Sequence, residues 1–377
     1  MSLSDLLFGK PLASYEDSEQ RLGPVAGIGV FGLDALSSAA YGPEAALTLL
    51  IPLGALSIQY VVPISFSIIT LLVIVYISYL QTISAYPGGG GSYTVARENL
   101  GPRAGLLAAA ALIVDYILVV AVGISAGVGA LVSAVPSLQP HTLTICLGIL
   151  VVITLVNLRG VRETGNLFMA PTFLFIVCLM GTIGLGLVKT LISGGHPAAI
   201  VPPHPLNATA TAAGMWLILQ SFASGCTAMT GVEAVSNGVK AFREPAVGTA
   251  RRTLTAIIGI LILMLAGIAW LARVYQVGAT DPGLPGYDSL LSQLIGAVAG
   301  KGVFYFVSIG SILAVLALSA NTAFADFPRM CQIISEDGTC PMLSRREAAG
   351  LSFHTAYTCW RYWPALCSSF STESRIA

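Results

Sequence analysis

The residues best placed to do chemistry are carboxylates set in apolar text. Asp34 stands within Gly-Val-Phe-Gly-Leu-Asp-Ala-Leu-Ser-Ser-Ala-Ala-Tyr-Gly-Pro-Glu, Gly29 to Glu44. A bare carboxylate at mid-membrane costs about 2.5–3.5 kcal/mol on insertion scales, so an acid there calls for a ligand, a proton or a polar cavity. Gly29, Gly32, Ser37, Ser38, Tyr41, Gly42 and Pro43 surround it. They suit a helix that breaks and offers backbone and hydroxyl oxygens. A second interrupted stretch, Ser221 to Glu233, carries Gly225, Gly231, Thr230 and the acid Glu233. Unwinding a membrane helix frees carbonyls and amides that lipid cannot satisfy, so such breaks survive beside a cavity or a ligand. Exposed carbonyls and carboxylates suit a cation, whereas helix N-termini suit a substrate carboxylate. The plainer role for the glycines is close helix packing. Asp115 and Tyr116 add a third polar position. Asp34 and Tyr41, seven apart, share a helix face if the helix resumes at once; Thr230 and Glu233, three apart, do so too. The expected binding set is therefore Asp34, Tyr41, Asp115, Tyr116, Thr230 and Glu233, with breaks at Gly29, Gly32, Gly225 and Gly231. Glu44 is expected at the interface. A proton and a cation competing for one such acid would have coupled movements.

The elements that must position these groups are membrane helices. Hydrophobic residues make up 55% of the chain and charged ones 10%, against about 25% charged in soluble domains. Apolar runs of about 20 residues recur, which predicts an all-α polytopic membrane protein. About eight spans are expected, at 24–50, 58–84, 103–134, 141–158, 166–192, 211–240, 252–275 and 302–326. Tyr287 to Gly300 reads as a short helix lying on the outer surface. The interrupted spans are the first and the sixth. That offset places them at matching positions of two repeats inserted in opposite senses, the usual pointer to a midplane binding site. The predicted organisation is a cytoplasmic N-terminus (1–23), a first repeat of five spans (24–192), an outer loop (193–210), a partial second repeat (211–330) and an atypical tail (331–377).

Charge sets the expected orientation. Lys10, Arg21, Arg97, Arg103, Arg159, Arg162, Lys240, Arg243, Arg251, Arg252 and Arg329 fall on one side, and only Lys189, Arg273 and Lys301 on the other. The N-terminus is therefore predicted to be cytoplasmic, in a multi-pass protein of the cell membrane. A net charge of +0 argues against a nucleic-acid partner. The glycine-rich Tyr86–Tyr93 segment lacks the Gly-Lys-Ser/Thr ending of a phosphate loop and follows no strand, so it reads as a turn near the inner gate. No cofactor motif is present. Phe31-Gly32-Leu33 precedes Asp34 where an intramembrane aspartyl protease would need Gly-x-Gly, so no enzyme is expected. Cys146, Cys178, Cys226 and Cys331 show no metal-ligand spacing and read as packing residues. After Asp337 the text holds Cys340, Cys359, Cys367, Trp360 and Trp363 without a span or a helical period. It reads as a truncated or out-of-frame terminus, the plainer alternative being a cytoplasmic tail; if truncated, the chain is expected to be inactive by itself, which leaves an inactive fragment or a non-transporting membrane protein as the alternative to a carrier.

These residues resemble the amino acid–polyamine–organocation superfamily, and within it the KimA-type potassium importers of the potassium-uptake-permease family. The matching text is Leu33–Ser38 with Tyr41–Glu44, Tyr86–Gly90, Glu98–Gly101, Val114–Leu118, Asn157–Val161, Thr230–Ala234 and Asn321–Arg329. The resemblance implies a leucine-transporter-type inverted-repeat fold and proton-driven potassium import. It implies an ion path lined by Asp34, Tyr41, Asp115, Tyr116, Thr230 and Glu233. The chain departs from the pattern in two ways. Val119 and Gly123 stand where hydroxyl residues are expected, which opens an amino acid as an alternative cargo. The fold needs ten spans for two full repeats, so the second repeat is incomplete. Expected partners are potassium or an amino acid, protons, the lipid bilayer and a second copy in a homodimer. The only metal expected is potassium at the substrate site.

Overall fold

The computed structural model describes residues 21–89, 91–158, 165–210, 212–284 and 286–336. Its helices are α1 (Pro24–Ser37), α2 (Gly42–Thr48), α3 (Ser57–Ala85), α4 (Ser92–Leu100), α5 (Pro102–Ala134), α6 (Thr142–Leu158), α7 (Gly165–Ile192), α8 (Met215–Gly225), α9 (Ala234–Asn237), α10 (Ala246–Val274), α11 (Leu290–Ala299) and α12 (Val303–Glu336). Among the described residues the one extended pairing is an isolated bridge between Leu22 and Phe242. Among the described residues seven stretches are long and apolar enough to cross a membrane, with α1 and α2 counted together as the first. The chain is an all-α, multi-pass membrane protein.

The sixth expected span does not reach that length because it is broken. α8 has 11 residues, a 3-10 turn (Cys226–Met229) follows, and α9 has only 4. Five spans precede α8, so the second set of helices starts from the opposite end of the bundle. Proline opens α1, α2 and α5 within the first turn, where its missing N–H would have had no helical partner.

The two broken spans lie at the centre. α1 packs on α7, α10 and α12, while α2 packs on α8. α12 also runs along α5, and α10 along α3. α6 stands outside this ring: its apolar stretch is exposed and turns Leu147, Val151, Val152 and Leu155 toward lipid.

Three expectations need correction. α1 runs unbroken through Gly29 and Gly32. Those glycines serve close packing: a Cβ at Gly29 would run into Met169 of α7, and one at Gly32 would lie 3.0 Å from Ile257 of α10. The break comes later, at Ser38–Ala40. The helix in the 287–300 segment forms, but Leu290 through Val298 are buried rather than on the surface. The last helix continues to Glu336, past the expected end at 326 and into the segment assigned to the tail. Residues 337–377, residues 1–20 and the charges Arg159 and Arg162 lie outside the described residues.

Candidate functional site

The first break follows from Pro43. Proline has no N–H for the carbonyl four residues back, and its ring crowds that carbonyl. The chain therefore tightens into a 3-10 turn at Ser38–Ala40 and restarts as α2. Hydroxyls from the sixth span cover the restarted turn. Ser221 Oγ donates to the Ala46 carbonyl at 2.7 Å, and Ser224 Oγ to the Ala45 carbonyl at 3.1 Å. In the other direction, Ser38 Oγ lies 2.7 Å from the Ala228 carbonyl and 2.6 Å from that of Ala35, sharing one proton between them. The breaks thus satisfy each other's backbone, as a lipid setting requires.

The second break turns on two residues. Thr230 is extended (φ −62°, ψ 151°), and Gly231 has φ +75°. That left-handed conformation is readily open to glycine alone. A Cβ on Gly231 would lie 2.6 Å from Asp34 Cγ and Oδ2, so glycine also lets this backbone approach the acid. Gly225 marks the other edge of the break as the last residue of α8.

Asp34 is buried in the last turn of α1. Its Oδ1 has no hydrogen-bond partner in the protein. A buried polar atom without a partner is costly and rare, and usually marks a site for water, an ion or a proton. Beside it, Tyr41 Oη and Thr230 Oγ1 are 2.9 Å apart. Thr230 Oγ1 also bonds the Thr227 carbonyl at 3.1 Å. With that proton committed, Tyr41 is the donor to Thr230. The structure therefore brings Asp34, Tyr41, Thr230 and Gly231 together across the two breaks.

Glu233 forms a second focus. Its Oε2 accepts from Ser92 Oγ at 2.9 Å and from Tyr79 Oη at 3.4 Å. Its Oε1 accepts from Tyr116 Oη at 3.4 Å. Tyr79 and Ser92 are themselves 3.2 Å apart. The charges of Asp115, Asp326 and Glu233 all act on Asp34. Four acids from α1, α5, α12 and the sixth span therefore lie near one another, an arrangement in which ionised carboxylates attract cations and repel anions. Asp115 joins through this arrangement, half-buried on α5.

Sequence reasoning missed Tyr79, Ser92 and Asp326. Asp326 sits inside the Asn321–Arg329 text, on a helix that continues to Glu336. Ser92 and Tyr79 carried no signal beyond being hydroxyls near the end of an apolar helix. At the expected hydroxyl positions, Val119 is buried, and a Cβ on Gly123 would lie 3.2 Å from the Leu316 carbonyl and 3.4 Å from Ser319 Oγ of α12.

The amino acid permease family model matches residues 34–361 of this chain. A potassium transporter of Bacillus subtilis (strain 168), KimA, is 40% identical to it over 355 residues. The match takes in 93% of the chain and 57% of that transporter, so the chain spans little more than half the relative's length.

Proposed function

The chain belongs to the amino acid permease family of the amino acid–polyamine–organocation superfamily, and from that premise we propose that it is a secondary carrier that imports potassium together with protons. The observation that carries the reading is Asp34, whose Oδ1 has no partner in the protein while its Oδ2 faces the Gly231 bend, with three further acids near it. A dehydrated monovalent cation satisfies that oxygen and lowers the mutual repulsion of the carboxylates. Tyr41 and Thr230 offer neutral oxygens beside it. Glu233 and Asp115 are the groups we assign to the proton. The relative that transports potassium supports the choice of cargo. The excess of Arg and Lys at one end of the helices supports a cytoplasmic N-terminus. In that orientation α4 lies at the inner end and α11 at the outer end.

A second reading, an amino acid as cargo, rests on Val119 and Gly123. They leave α5 without two oxygens that would complete a cation shell. The four-acid arrangement weighs against it, since an amino acid's carboxylate would be repelled.

The test is potassium uptake by the chain reconstituted in vesicles under an inward proton gradient. Asp34→Asn keeps the shape and removes the charge, and uptake is expected to fall to background with the protein still folded. Accumulation of a labelled amino acid in place of potassium would move the assignment to the second reading. Unchanged potassium uptake in the Asp34→Asn protein would overturn the site.

A further inference from the structure

Glu44 was expected at the interface, and no part of the cation site needs it. It is nevertheless fully engaged. Its Oε1 accepts from Tyr287 Oη at 2.7 Å, and its Oε2 accepts from the backbone N–H of Leu290 at 3.2 Å. Leu290 is the first residue of α11, so the carboxylate also meets the positive end of that helix. Burial, and then the charge of Glu44, hold the Tyr287 phenol well above its ordinary pKa, which keeps it a donor. Around this contact the corner is pinned by Ser133 Oγ of α5, which accepts from the Ser289 N–H at 2.8 Å.

The same construction appears at the opposite end. α4 joins the second and third spans, and α11 joins the seventh and eighth. The broken spans are the first and the sixth. Under the five-span offset α4 and α11 correspond, as do the two broken spans. Glu44 follows the break of the first span and reaches the start of α11, in the other repeat. Glu233 follows the break of the sixth span and reaches Ser92, the first residue of α4, again in the other repeat. Glu44 sits on the half-span beyond its break and Glu233 at the end of its own, directly before α9, and each holds the entrance of the other repeat's connecting helix.

We propose that Glu44 and Glu233 are paired latches, Glu44 holding the outer connecting helix α11 shut against α2 and Glu233 holding the inner connecting helix α4 shut against the sixth span. Both latches are closed in this structure. Opening one end requires releasing only its own acid, so each end has its own control. Glu233 is also a group assigned to the proton, which ties the inner latch to coupling. Glu44 lies apart from the cation site, which leaves the outer latch to be loosened separately. The role of these latches in transport rests on the carrier reading; their existence does not.

Hydrogen exchange measured by mass spectrometry on the 377-residue chain in lipid nanodiscs reads the latches without any substrate gradient. Glu44→Leu removes both acceptors, so exchange over 286–300 is expected to rise about tenfold, the loss typical of a hydrogen bond to a charged group. Exchange over 92–100 should stay as it was. Ser92→Ala combined with Tyr79→Phe should do the reverse. Thr48→Val removes a neighbouring bond to the Glu44 carbonyl, not to its carboxylate, and should leave both segments unchanged. Unaltered exchange over 286–300 in Glu44→Leu would overturn the proposal. So would a rise spread over both segments and α10, because that would make Glu44 a general packing residue. Exchange that behaves as expected in a chain that carries no potassium would keep the latches and reject the carrier reading.

Discussion

The two broken spans do different work with different backbones. The first break is a single 3-10 turn, Ser38–Ala40, between helices that resume at once. It is caused by a proline and presents side chains: Asp34 before it and Tyr41 at its end. The second runs from Cys226 to Glu233 and contains an extended Thr230 and a left-handed Gly231. It is caused by a glycine and presents backbone and hydroxyl oxygens. One break supplies the charge, and the other supplies the space for it.

Changes at the two breaks should thus have unlike consequences. The largest effect is expected at Gly231→Ala. The added Cβ enters a left-handed conformation, at about 1–2 kcal/mol, and collides with the Asp34 carboxylate. Potassium-dependent stabilisation, read as a shift of the thermal unfolding midpoint with added potassium, should vanish. If the shift persisted, Asp34 would not be the ion's ligand.

Glu233→Gln separates charge from scaffolding. An amide can still bond Ser92, Tyr79 and Tyr116, because hydroxyls accept as well as donate. Fold stability should stay within about 1 kcal/mol, while proton-driven uptake is lost. A large fall in the unfolding midpoint would instead make Glu233 a structural acid.

Ser38→Ala should be smaller and mainly structural. It removes the hydroxyl shared by the Ala35 and Ala228 carbonyls and leaves Ala228 short of a donor. A loss of about 1–3 kcal/mol is expected, measured by unfolding in detergent, with uptake per folded molecule little changed.

How far this was legible in the sequence follows from the same contrast. Apolar length and the rarity of charge pointed to the seven long apolar stretches among the described residues, because a bilayer leaves few other solutions. Gly225 and Gly231 both lie at the second break, one ending α8 and the other at φ +75°. Gly29 and Gly32 misled, because a glycine in a membrane helix serves close packing as readily as unwinding, and here Met169 and Ile257 fill the space against them. Pro43 held the information for the first break, through the hydrogen bond it cannot make. The acids Asp34 and Glu233 were readable from their apolar setting. Ser92, Tyr79 and Asp326 were not, since their importance depends on which helices meet. The burial of α11 was hidden for the same reason: an apolar 10-residue helix looks alike on a surface and in a core.

Tyr41→Phe should give the smallest effect, and it tests whether the two breaks cooperate. The phenol donates to Thr230 Oγ1 across the site, while Thr230 remains bonded to its own turn through Thr227. Phenylalanine keeps the buried ring and deletes one neutral hydrogen bond, worth about 0.5–1.5 kcal/mol. If that bond only joins the breaks, the unfolding midpoint should fall slightly and potassium affinity should weaken by about threefold to tenfold. Thr230→Val removes the partner, and the double variant should then be no worse than the poorer single, since both delete the same contact. Additive losses in ion affinity would instead mean that Tyr41 and Thr230 each touch the cation independently, and the site would then draw oxygens from both breaks as direct ligands.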